Sequence, residues 1–138
     1  MPLTSPAPGS LGAGGLEMTT TAAARQALGT YGESVAARHL VERGLVLLDR
    51  NWRCDAGEVD LVLREGHVLV VCEVKTRSND ACGTPHEAVG PDKRDRLGLL
   101  AERWAAEHGV APPDTRIDLV AVLRPVRGPA VVEHVRGI

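Results

Sequence analysis

Two short stretches hold residues whose types and spacing could do chemistry. The first is Gly57-Glu58-Val59-Asp60-Leu61-Val62 and the second is Cys72-Glu73-Val74-Lys75-Thr76-Arg77. On a strand, residues two apart share a face, so Glu73 and Lys75 point the same way, together with Leu69 and Val71. The turn residues Glu65-Gly66-His67 between the stretches predict a hairpin that brings Asp60 onto the neighbouring strand. If Asp60 stands opposite Glu73 or Val71, the two carboxylates meet on one face; a slip that puts it opposite Cys72 separates them. Carboxylates converging from neighbouring strands repel each other unless a cation lies between them. Mg²⁺, or Mn²⁺ in its place, suits oxygen ligands, needs only one or two carboxylates and keeps several waters. A lysine two residues on could orient or deprotonate such a water. Those are the parts needed for water attack on a phosphodiester.

An E-x-K on a strand is usually a solvated charged face, and three features weigh against that here. The charges interrupt the most apolar run of the chain, Val68–Val74, which reads as a central strand. The chain has fourteen arginines and two lysines, so Lys75 and Lys93 are exceptions to its habit. Glu33 lies at helical spacing with Ala36, Ala37 and Leu40, toward the buried side of the first helix. Lys93 opens another helix on the side of its apolar stripe, where it could meet a phosphate. Arg77, Arg94 and Arg96 could form a local basic patch for nucleic acid, or simply a solvated face. Asp118, beside Arg116 on an apolar strand, reads as half of a structural ion pair. The five histidines are scattered and suggest no metal cluster, and Trp104 reads as core.

The elements that position these residues follow from periodicity and punctuation. Helical spacing predicts a helix over Ala27–Arg43, stopped by Gly44. Three β-rich runs follow, Leu45–Trp52, Glu58–Arg64 and Val68–Arg77, and read as a meander. Residues 78–90 read as a polar loop. Pro91 starts a helix that Gly109 ends, with Leu97, Leu100, Ala101, Trp104 and Ala105 on one face. Strands Arg116–Leu123 and Ala130–Val135 complete an order α-β-β-β-α-β-β. The second helix serves as a crossover between parallel strands. The expected fold is a single α/β domain over residues 26–138, with a mixed sheet flanked by helices.

Residues 1–25 are rich in Pro, Gly, Ala, Ser and Thr and read as a disordered tail; Met18 offers an alternative start. Three cysteines without a C-x-x-C pair read as free thiols, not as zinc ligands or a disulfide framework. No signal peptide or membrane span is visible, so the expectation is a cytoplasmic protein with no membrane partner. A net charge of −2 is no footprint of a general duplex-DNA binder, and scarce aromatics argue against a single-strand binder.

As a set, these pieces resemble the YraN-type family of bacterial proteins, which are similar to Holliday-junction resolvases of the PD-(D/E)xK nuclease superfamily. The matching pieces are Gly32-Glu33, Arg50-Asn51-Trp52-Arg53, Gly57 to Val62, Glu73-Val74-Lys75-Thr76-Arg77, Lys93 and Arg116-Ile117-Asp118-Leu119-Val120. The resemblance implies a restriction-endonuclease-like fold. It also implies a metal held by Asp60, Glu73 and the main-chain carbonyl of Val74. Lys75 would act on the attacking water, and Glu33 would be the helix acid that supports the site. Cys72 departs from the family, which usually places a bulky apolar residue there. A DNA substrate and a homodimer are further expectations from the resolvase-like relatives. The competing expectation is a non-catalytic nucleic-acid or protein interaction module on a retained nuclease fold, which the acidic net charge favours.

Overall fold

A computed structural model describes residues 21–78 and 89–138. The elements run α1 (Ala22–Glu42), β1 (Val46–Cys54), β2 (Gly57–Glu65), β3 (Val68–Ser78), α2 (Pro91–Glu107), β4 (Asp114–Arg124) and β5 (Val131–Val135). This is the expected order, α-β-β-β-α-β-β. Most of the polar loop read at 78–90, and residues 1–20 of the tail, lie outside the described residues.

Helix α1 begins five residues before the Ala27 expected from hydrophobic spacing. The extension is local chemistry: Thr21 is extended, and its hydroxyl accepts from the Ala24 N–H at 3.0 Å, in front of an alanine run. Periodicity cannot see this start because Ala22–Gln26 lie on exposed turns with no apolar partner to mark. The helix stops as expected. Gly44 takes φ +98°, and Leu45 N–H reaches back to Leu40 C=O at 3.1 Å, which buries Leu45 beneath the helix end.

The five strands form one sheet in sequence order, β1-β2-β3-β4-β5. Strands β3 and β4 are parallel, joined through α2, and the other neighbours are antiparallel. β3 is therefore central, as its uninterrupted Val-Leu-Val-Val-Cys run requires. α1 covers one face through Ala36, Ala37 and Leu40, packed on Leu61, Leu63, Val70, Cys72, Val120 and Val122. α2 covers the other through Leu97, Leu100, Ala101, Trp104 and Ala105, packed on Val59, Val62, Leu69 and Val71. Trp104 is core, as read, and its indole N–H donates to Asp49 on the bulged strand β1 at 2.9 Å. Among the described residues, no helix is long and apolar enough to cross a membrane.

Gly32 sets how closely α1 approaches the centre of the sheet. A Cβ built there would lie 1.8 Å from the Thr76 hydroxyl oxygen, so only glycine allows this helix–strand contact. The contact lies one residue from Lys75 on β3 and one from Glu33 on α1, and so fixes both next to the same end of the sheet.

Candidate active site

The hairpin register is the one that brings the carboxylates together. β2 and β3 pair from Glu65↔Val68 to Leu61↔Cys72, where the pairing ends. The next residues outward in that register are Asp60 and Glu73. Beyond Leu61 the strands part, and the alternation of β2 breaks. Leu61 packs toward α1, whereas Val59 and Val62 both pack toward α2. Asp60 sits at this break. Its Oδ2 accepts from the Val74 N–H at 2.8 Å, a bridge across the gap where ladder bonds would otherwise run. The ladder between β1 and β2 shifts register in β1, between Leu47 and Asp49.

Asp60 and Glu73 line one pocket of about 270 Å³ together with Gly57, Glu58, Lys93, Arg96, Leu97 and Leu100. Glu73 is buried, at 7% relative exposure, on the face it shares with Leu69 and Val71. Its Oε2 accepts from Lys93 Nζ at 2.6 Å and lies 3.4 Å from Lys75 Nζ. The two lysines of the chain thus converge on one carboxylate oxygen.

Asp60 has no such compensation. Burial pushes its carboxyl up to about 7; the Val74 N–H opposes this, and the negative charges of Glu73, Glu33 and Glu58 add to it. Glu33, half-buried on α1, is therefore close enough to act on Asp60 electrostatically. Among the described residues, none donates a hydrogen bond to Asp60 Oδ1 or Glu73 Oε1.

The donor set suits a hard divalent cation. It offers two carboxylates side by side, each with an oxygen no described residue occupies, and one of them destabilised by burial and by the neighbouring acids. Among the described residues, no three His, Cys, Asp or Glu side chains gather as a ready-made cage. That is the pattern for Mg²⁺, which takes one or two carboxylates and fills the rest of its shell with water; it would not suit zinc.

The remaining candidates divide. Lys93 belongs to the pocket, bound to Glu73 and not standing free in the first helical turn. Arg96 lines the pocket as well, and a basic residue there was visible only as part of a loose arginine cluster. Arg94 lines a separate hollow with Val89, Gly90, Pro91 and Ile138, so α2 turns it away from the acids. Arg77 is exposed at the end of β3. Asp118 makes its ion pair with Arg116, at 2.8 Å and 2.9 Å. His134, read only as a scattered histidine, joins it, Nε2 lying 2.7 Å from Asp118 Oδ2. Sequence spacing could not show that partnership, because it depends on β5 pairing beside β4.

A model of the "Uncharacterised protein family UPF0102" matches residues 32–122, a span that includes Glu33, Asp60, Glu73, Lys75 and Lys93. A UPF0102 protein of a Nocardioides species is 66% identical over 123 residues, covering 88% of this chain and 99% of the relative. One from Streptomyces coelicolor is 57% identical over 127 residues, covering 91% and 95%. A more distant one, from Acidothermus cellulolyticus, is 46% identical over 130 residues, covering 87% and 98%. The chain belongs to the UPF0102 family.

Proposed function

We propose that the protein is a metal-dependent endonuclease that hydrolyses nucleic-acid phosphodiesters, resolvase-like, with DNA as the expected substrate and recombination or repair as its setting. The observation that carries this reading is the side-by-side presentation of Asp60 and Glu73 in one pocket, with Lys75 on the same face. A structural ion pair has no use for a second, uncompensated carboxylate. Asp60 and Glu73, with the Val74 carbonyl, would hold Mg²⁺ or Mn²⁺. Such an ion, when bound, polarises the phosphoryl oxygen and makes a bound water more acidic.

The chain's own residues do the rest. Lys75 Nζ stands next to Glu73, placed to orient the attacking water and to offset negative charge as it develops on the phosphorane oxygens. Glu33 adds to the negative field at Asp60, which strengthens the call for a cation. Arg96 and Lys93 at the pocket, and Arg77 at the end of β3, would meet the phosphate backbone; Arg94 would contribute from the flank of α2. A net charge of −2 keeps those contacts local and dependent on the metal. A homodimer would present two such sites to a branched substrate.

The test is a cleavage panel of branched, flapped, duplex and single-stranded DNA and RNA with Mn²⁺, comparing the wild type with Lys75→Met purified identically. Loss of a positioned proton-transfer group should lower the rate by about 10²–10⁴. Equal cleavage by both would assign the activity to another site or a contaminant. No cleavage by either, with no metal binding by calorimetry, would favour the non-catalytic interaction module.

A further inference from the structure

Lys93 and Lys75 reach Glu73 Oε2 in different ways. Lys75 shares the strand with Glu73, two residues on, and cannot move far from it. Lys93 comes from the first turn of α2, twenty residues away in sequence, and makes the shorter contact, 2.6 Å against 3.4 Å. The Glu73 side chain is 9% exposed and that of Lys93 is 40% exposed, so this ammonium lies between a buried carboxylate and solvent.

Charge balance gives the contact a meaning. Asp60, Glu73, Glu58 and Glu33 carry four negative charges when ionised, and Lys75, Lys93 and Arg96 carry three positive ones. A divalent cation on the carboxylates would turn that net negative charge positive in a half-buried pocket. It would also take charge from the carboxylate that Lys93 is bound to. Such like charges a few ångströms apart repel strongly where water is scarce. The group best able to leave is the one on a long flexible stem at the solvent boundary, anchored on a separate element.

We infer that Lys93 is a place-holding counter-ion: it neutralises Glu73 in the metal-free protein, competes with a divalent cation for that carboxylate, and is released into the pocket when the cation binds. This positioning role rests on the metal-site reading above and deepens it. Release would turn an internal counter-ion into a free ammonium for an anionic substrate, so that metal binding also prepares the site for phosphate. It also accounts for the lysine in a chain that otherwise uses arginine. A guanidinium would hold the carboxylate through a rigid two-pronged fork and release it less readily.

The chain's composition makes the test simple, because lysine labelled with ¹³C and ¹⁵N gives signals from two side chains only. Lys93→Met and Lys75→Met assign them, each by loss of one set. MgCl₂ is then titrated into the full chain while calorimetry follows binding independently. The Lys93 ε-methylene signal should move toward the position of a free lysine with the calorimetric Mg²⁺ dependence. Lys93→Met, or Lys93→Gln if the first folds poorly, should bind Mg²⁺ about tenfold more tightly, the worth of one charge-assisted contact. Asp60→Asn should lose both the heat and the shift. Mg²⁺ binding without movement of the Lys93 signal, or unchanged affinity in the Lys93 variants, would overturn this inference and leave the metal site standing. A Lys93 shift that persists in Asp60→Asn would also overturn it. Absence of both heat and shift in the wild type would sink the metal site and the inference together.

Discussion

Two charged clusters lie on opposite faces of the sheet, one built on β4 and its neighbours and the other where β2 parts from β3, and they differ in how completely their charges are met. On the α1 side, Asp118 is fully buried on the face it shares with Val120 and Val122. Both its oxygens are used: Oδ1 accepts from Arg116 Nε and Gly137 N, and Oδ2 from Arg116 Nη2 and His134. Arg116 also binds Glu65, which Arg136 holds as well. Burial works to raise the Asp118 carboxyl, yet these donors together hold it below the usual carboxylate range. On the α2 side, burial wins at Asp60 and its carboxyl rises to about 7. Burial acts in the same direction on both acids, and the count of donors around each is what separates them. The saturated cluster ties the C-terminal segment to the sheet, since Ile138 N–H also bonds Ile117 C=O. In the other, among the described residues, Asp60 accepts from a single donor, the Val74 N–H.

The sharpest way to break that contrast is Asp118→Ala. It strands Arg116 and His134 without their carboxylate, and should cost about 3–5 kcal/mol in denaturant melts near neutral pH. Because the folded carboxyl titrates below its unfolded value, the stability it confers is present above about pH 4 and is lost as pH falls through the folded value. The wild-type advantage should therefore shrink on acidification. A loss under about 1 kcal/mol at pH 7 would mean that this cluster is no more structural than a surface pair.

Asp60→Asn should move stability in the opposite direction. With the folded carboxyl at about 7 and its ordinary value at 3.8, the folded state binds more protons between those values. Wild-type stability then falls as pH rises from about 4 to 7 and levels off above. In metal-free buffer at pH 8 the asparagine variant should be more stable by roughly 2–4 kcal/mol, and near pH 4 the two should agree. Saturating Mg²⁺ should stabilise the wild type and not the variant. A variant less stable than wild type in chelator at pH 8 would show that Asp60 is already compensated.

Gly32→Ala tests how the reactive cluster is held. Its new methyl group would collide with the Thr76 side chain, so α1 must shift from β3, at about 1–3 kcal/mol. The double variant with Thr76→Ala removes the hydroxyl and methyl contacts but keeps the Thr76 Cβ position 2.8 Å from the new methyl, so it should recover only part of that loss, and thermal melts of the two read the difference directly. The smallest expected effect on stability is that of Lys75→Met. Its looser contact at 3.4 Å and its half-exposed position should make the loss about 0–1 kcal/mol, while cleavage slows by about 10²–10⁴. A larger destabilisation would move Lys75 into the structural class with Arg116.

By itself, the sequence determined the element order, the central place of Val68–Val74, the apolar faces of both helices and the pairing of Glu73 with Lys75 on one face. These depend on periods of 2 and 3.6 and on turn residues, which are local properties. It also marked Lys93, because a rare residue type stands out without any structure. The start of α1 at Ala22 escaped, since capping by Thr21 leaves no hydrophobic trace. Which charges meet is set by packing. Lys93 on Glu73, His134 on Asp118 and the turning away of Arg94 depend on how a helix is rotated over the sheet and which strands become neighbours. Hydrophobic periodicity puts Lys93 on the stripe side of α2, but it cannot say how far its ammonium reaches. An ion pair needs its partner within a few ångströms, and only the packed core supplies that accuracy.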